Sequence, residues 1–177
     1  ALQDQAKEKQ KSMVAAFDRT VGEVLVNVEI GFRAILTKDL ETAHRSLSYA
    51  NEALGQLINL QNNTDTKFSR SANWIEQQAK QIQEGLRSVE NQLDILRVLV
   101  DGQNNKALKV DNFCYRPSTS QLVVHSNGTI RIFDSGHPVK MGEKLSVLVP
   151  SKLSFMICHS HDTLILAKNQ GARTTLY

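Results

Sequence analysis

The sequence predicts an α+β protein in sequential halves: an N-terminal antiparallel helical bundle or coiled-coil hairpin over residues 1–104, then a small all-β barrel or sandwich over 105–177. Three observations predict it. Up to Val100 apolar residues recur at alternating spacings of three and four, the period of a helical seam. Beyond residue 107, short runs rich in β-branched and aromatic residues alternate with turn residues. Charge changes at the same place. Residues 1–104 hold 12 Lys or Arg against 14 Asp or Glu, and residues 105–177 hold 9 against 4, so the β half carries all of the positive excess.

The first helix is expected over residues 3–36, where Val14, Phe17, Val21, Val24, Val28, Gly31 and Ile35 keep the three-four alternation. Its β-branched content is high for a helix, since Val and Ile lose side-chain freedom against the preceding turn. Thr37 or Asp39 then offers an N-cap for a second helix. In that helix Leu40, Ala43, Leu47, Ala50, Leu54 and Leu57 form the seam. The third seam runs Phe68, Ala72, Ile75, Ala79, Ile82, Leu86, Val89, Leu93, Leu96, Val100 without a miss, as the a and d positions of a coiled coil do. No proline interrupts residues 1–116, and Asp101-Gly102 supplies the stop.

The second and third seams cannot share one register, so the chain either carries a stutter in one continuous helix or, the favoured reading, turns at the polar run Asn62–Thr66 between antiparallel helices. Folding about residue 63 would set Leu47 near Ala79 and Ala43 near Leu86, opposing large to small residues. Trp74, Ile95, Val98 and Leu99 lie off the seam. They imply a further packing partner for the last helix, either the first helix or a second chain.

In the β half, Leu108–Tyr115 precedes a turn at Pro117. Gln121–His125 and Thr129–Phe133 flank Asn127-Gly128, the preferred dipeptide of a tight hairpin. Residues 134–138 and 140–144 read as loops. Residues 145–150, 153–159 and 163–168 read as strands, with 174–177 as a last one. Six or seven short strands in this length suggest a barrel or sandwich.

The densest group of chemically capable residues is Cys158-His159-Ser160-His161-Asp162. Strand alternation sends Cys158 and His159 to opposite faces, so His159 and His161 are the pair that could converge on a metal, with Cys158 a further candidate ligand. The simpler reading makes Cys158 a strand residue and the rest a polar turn. Cys158 could then pair with Cys114 in a disulfide, or both could remain buried thiols. Arg116, Arg131, Phe133, Lys140 and Lys144 form a candidate surface for an anionic partner, with Arg131 and Phe133 on one strand face as in single-strand nucleic-acid binders. No Gly-x-Ser-x-Gly elbow and no glycine-rich phosphate loop is present, and carboxylates are sparse in the β half. Two Asn-x-Thr triplets, at Asn62 and Asn127, are what chance supplies in this composition.

These features imply a chain without enzymatic chemistry or a cofactor. The leading expectation is an oligomeric scaffold or adaptor, with Phe68, Ile75, Ile82, Leu86, Val89, Leu93, Leu96 and Val100 as the self-association seam and the basic β half presenting a partner-binding surface. The alternative is an extracytoplasmic stalk-and-head module of a secreted, viral-surface or sensor protein; the third is a nucleic-acid-binding β domain on a coiled-coil oligomer. No stretch reaches the ~20 apolar residues that span a bilayer, and the N-terminus lacks the features of a signal peptide. Compartment stays open, with the cytoplasm ahead of an extracytoplasmic site.

Overall fold

The computed structural model describes residues 2–101, 108–134, 141–145, 149, 152–160, 163–170 and 173–176; side chains at 2, 100, 101, 141–145, 169, 170 and 173–176 are outside the description. Three helices come first, α1 (Leu2–Leu36), α2 (Leu40–Asn62) and α3 (Ala72–Asp101). Among the described residues, seven strands follow: β1 (Asn112–Arg116), β2 (Gln121–Ser126), β3 (Thr129–Asp134), β4 (Met141–Leu145), β5 (Phe155–Cys158), β6 (Leu164–Gln170) and β7 (Arg173–Leu176). The chain divides into two compact units, Ala1–Val89 and Glu90–Tyr177. The helical pattern alone sets the boundary at residue 104, but the last three turns of α3 pack with the strands and fall in the second unit.

In the first unit, α1 ends where Lys38 takes a left-handed backbone, φ 62°. Asp39 N then donates to Ala34 O (2.9 Å) and Lys38 N to Ile35 O (3.1 Å), the paired bonds of a Schellman cap. Asp39 is also the N-cap of α2, its carboxylate accepting from Thr42 N at 3.2 Å. The Thr42 hydroxyl and, with it, the Thr42 N–H hold the Asp39 carboxyl below its usual range. Ser71 caps α3 by accepting from Trp74 N at 3.2 Å.

The core of this unit is Phe17, Val21 and Val24 of α1, Leu47, Ala50, Ala53, Leu54 and Leu57 of α2, and Ile75 and Ile82 of α3. The residues from Asn63 to Ser71 turn the chain back, so α2 and α3 run antiparallel. The turn is longer than the five-residue run suggests, and the pairing shifts with it: Leu47 meets Gly85, not Ala79. Phe68 precedes α3 and stacks on Phe17 at 4.2 Å between ring centroids. Ser69 Oγ donates to Asp18 Oδ1 at 2.6 Å, tying the same loop to α1.

In the second unit the strands form two antiparallel sheets, ordered β1-β2-β3-β4 and β5-β6-β7. Among the described residues they do not close into a barrel, because no ladder joins the sheets. Strand alternation divides the four-stranded sheet into two buried faces. Leu122, Val124 and Phe133 pack with Ile95 and Leu99 of α3. Cys114, Val123 and Ile130 pack with Met156 and Leu166 of the other sheet. Asn91 Nδ2 donates to Tyr115 Oη at 3.0 Å, fixing α3 on β1.

Three expectations need correction. Ile95 (1% exposed) and Leu99 (8%) do find a partner, but it is the chain's own sheet, not the first helix or a second chain. The seam expected to drive self-association is buried inside the chain: Ile75, Ile82 and Val89 are at most 3% exposed, and Leu86 packs against the same core. Past Val89 the buried line moves to Ile95 and Leu99 and leaves Leu93 only half-buried, because α3 now faces a sheet instead of two helices. Leu96 packs against the second cluster, while the side chain of Val100 lies outside the described residues. Finally, residues 141–144, expected as loop, belong to β4 with Leu145, and 146–148 and 150 of the expected strand lie outside the described residues.

Candidate functional site

The two sheets meet at Cys114 and Cys158, which form a disulfide with an S–S distance of 2.12 Å and Cα atoms 5.7 Å apart. Cys114 sits at the centre of β1, paired in register with Val123, and Cys158 ends β5 opposite Leu164. Both strands are edges of their sheets, so the bridge stands where a hydrogen-bonded ladder would otherwise have to join them. Around it lie Val123, Ile130, Met156 and Leu166, all buried. A half-cystine offers no thiolate, which removes Cys158 from any ligand set and from nucleophilic roles while the bridge stands.

His159 and Ser160 are bonded through their backbone to Thr163: His159 N and Ser160 N both donate to Thr163 O, at 2.9 and 3.4 Å, closing the connection from β5 to β6. His159 is exposed, and His161 and Asp162 lie outside the described residues. Among the described residues, no group of three His, Cys, Asp or Glu side chains stands where it could hold a metal ion.

Within the candidate anionic surface, Arg116 and Arg131 are not brought together. Arg116 is in register with Gln121 and shares the sheet face of Cys114. Arg131 is in register with Val124 and lies on the face that packs against α3. Alternation therefore puts the two arginines on opposite faces of one sheet. Phe133 is 2% exposed within the core under α3, so its ring face is closed to a base. Lys144 is in register with Arg131, its side chain outside the description, and Lys140 lies outside the described residues.

The structure assembles one polar group that sequence reasoning missed. Asp111 precedes β1 and reaches over the β2–β3 hairpin, where its Oδ2 accepts from Asn127 N at 2.7 Å. Its own N–H donates to His125 O at 3.0 Å, and Lys109 Nζ stands 3.6 Å from Oδ1. Asn127 (φ 47°) and Gly128 (φ 75°) hold the left-handed conformations the tight turn requires. The Asn127 bond and the nearby Lys109 charge hold the Asp111 carboxyl below its usual range. His125 itself is fully buried on the sheet face of Cys114. Nothing in the sequence ties an aspartate to a turn 16 residues on, because the relation exists only once β1 and β2 are paired. The group fixes the β2–β3 hairpin against the entry to β1.

Comparison of the chain with protein-family models, with curated proteins and with solved structures finds no match.

Proposed function

We propose that this chain is a non-enzymatic binding and assembly module that works outside the cytoplasm, with the helical unit as its body and the β unit as its presenting head. The Cys114–Cys158 disulfide carries the reading. Disulfides between strands persist in oxidising compartments and are rare in reducing ones. This one bridges the two edges on which a small two-sheet unit depends for its alignment. The cytoplasm, first on sequence grounds, therefore gives way to the stalk-and-head alternative.

The non-enzymatic reading draws on two uses of reactive side chains: Cys114 and Cys158 are bonded to each other, and Asp111 is engaged by a turn. The nucleic-acid reading weakens for a geometric reason, since Arg116 and Arg131 face opposite ways and Phe133 is core.

Free-thiol titration of the denatured, unreduced protein tests the compartment. No titratable thiol is expected. Two thiols per chain in protein purified without reductant would return the module to a reducing compartment.

A further inference from the structure

We propose that the outward face of α1 between Gly22 and Leu36 is a self-complementary dimer seam, on which a second copy of this chain packs antiparallel. The inference deepens the assembly role proposed above and does not depend on the compartment.

The buried side of α1 is the line Phe17, Val21, Val24, Val28 and Ile35. A second line runs along the opposite side of the helix: Gly22, Val26, Glu29, Arg33, Leu36. Its spacing is 4, 3, 4, 3, that of coiled-coil core positions, and all five residues are exposed. Val26 is 56% exposed and Leu36 83%; Leu25 and Ile30, at the flanking positions, are each 43% exposed. A methyl group at Gly22 would meet nothing within 4 Å. Earlier on the same helix the corresponding positions are Glu8, Ser12, Ala15 and Arg19, so the apolar character begins only at Gly22.

The charges choose the occupant and its direction. Glu29 and Arg33 sit at the centre of the line, with side chains 68% and 73% exposed, and bond each other at 2.7 Å. A parallel second copy would set Glu29 on Glu29 and Arg33 on Arg33. An antiparallel copy, with core positions paired as in antiparallel coiled coils, gives four layers. They are Val26 on Leu36, Glu29 on Arg33, Arg33 on Glu29, and Leu36 on Val26. Both ion pairs form, both apolar layers close outside them, and Leu25 and Ile30 shield the edges. The surface is complementary to itself in that one orientation, and like charges penalise the other.

The test is a charge exchange read by light scattering. Wild type is expected to approach twice the 19.8 kDa chain mass on concentration. Glu29→Arg places two arginines on the seam and Arg33→Glu places two glutamates; each variant alone is expected to stay monomeric while retaining its helical circular dichroism. An equimolar mixture of the two is expected to recover the doubled mass, because the layers again oppose unlike charges. Recovery in the mixture is an outcome that mere loss of folding cannot produce. A wild type that stays monomeric at every concentration would overturn this seam and the assembly reading together. A dimer indifferent to both variants, or a folded mixture that fails to recover, would overturn the seam alone.

Discussion

Leu47 of α2 occupies the space that a side chain on Gly31 of α1 would need: a Cβ there would lie 2.6 Å from Leu47 Cγ and 2.7 Å from Cδ2. The same leucine meets α3, where a Cβ on Gly85 would stand 3.0 Å from its Cδ1 and 3.1 Å from Phe32 Cζ. Leu47 is fully buried and cannot swing out. Two glycines thus let three helices close around one side chain.

Gly31→Ala is expected to destabilise the helical unit by about 1–3 kcal/mol, the usual cost of overpacking a filled core. Gly55→Ala is expected to do the opposite, adding roughly 0.5–1 kcal/mol, because the site is open and alanine is the better helix former. Urea denaturation followed by circular dichroism measures both. Equal effects at the two positions would mean that Leu47 does not fill the space beside Gly31.

Ile95→Ala should cost about 2–5 kcal/mol, as for other fully buried aliphatic residues. Leu93→Ala should cost clearly less, since Leu93 is half-buried. The sequence seam implies the reverse order. Tyr115 and Phe113 pack in the cluster of Ile95, so near-ultraviolet circular dichroism reports the loss in the β unit.

Lys38→Gly should raise stability by about 1 kcal/mol, because a left-handed φ costs a non-glycine residue that much. Burial also pulls the Lys38 pKa below its ordinary 10.5. The folded chain then binds the proton less tightly than the unfolded one, so this residue's contribution improves as pH rises from its folded pKa towards 10.5. The glycine variant should lose that alkaline increment, which thermal melts across the range would detect.

Asp111 gives a dependence of the same sign in the acid range. Its carboxyl is held below 3.8 in the fold, so its stabilisation is complete above that value and is lost as pH falls through the lower folded pKa. Asp111→Ala should lower the melting temperature at neutral pH and flatten the acid limb. An unchanged acid limb would show that the Asn127 bond contributes nothing to stability.

Reduction of Cys114–Cys158 should destabilise the β unit and leave the helical unit unaffected. The two cysteines are 44 residues apart, and for a loop of that length the chain-entropy estimate is about 4 kcal/mol. Melting with and without a reductant measures it, and a Cys114→Ser/Cys158→Ser variant should melt like the reduced protein.

Much of the helical architecture was legible because helices announce themselves through local spacing. The 3-4 seams located all three helices. The conflict of register between the second and third seams located the turn, and Asp39 was legible as a cap from its place before Leu40. The hairpin at Asn127-Gly128 was equally local. Beyond these, the sequence could show that Ile95 and Leu99 needed a partner but not that the partner was a sheet, since any apolar surface satisfies an apolar face. The same limit hid the candidate α1 seam: Val26 and Leu36 read as ordinary helix residues until the core was known to lie on the other side.

What the sequence determined by itself was periodicity and punctuation: where helices run, where strands begin, and which dipeptides turn. Tertiary structure decided which face each residue met. It joined Cys114 to Cys158, placed Phe133 under a helix, set Arg116 and Arg131 on opposite faces, and brought Asp111 onto Asn127. Each of these relations spans residues that interact only after strands have paired and packed. A local pattern fixes the period of burial, but the partner that completes it is chosen by the free energy of the assembled core.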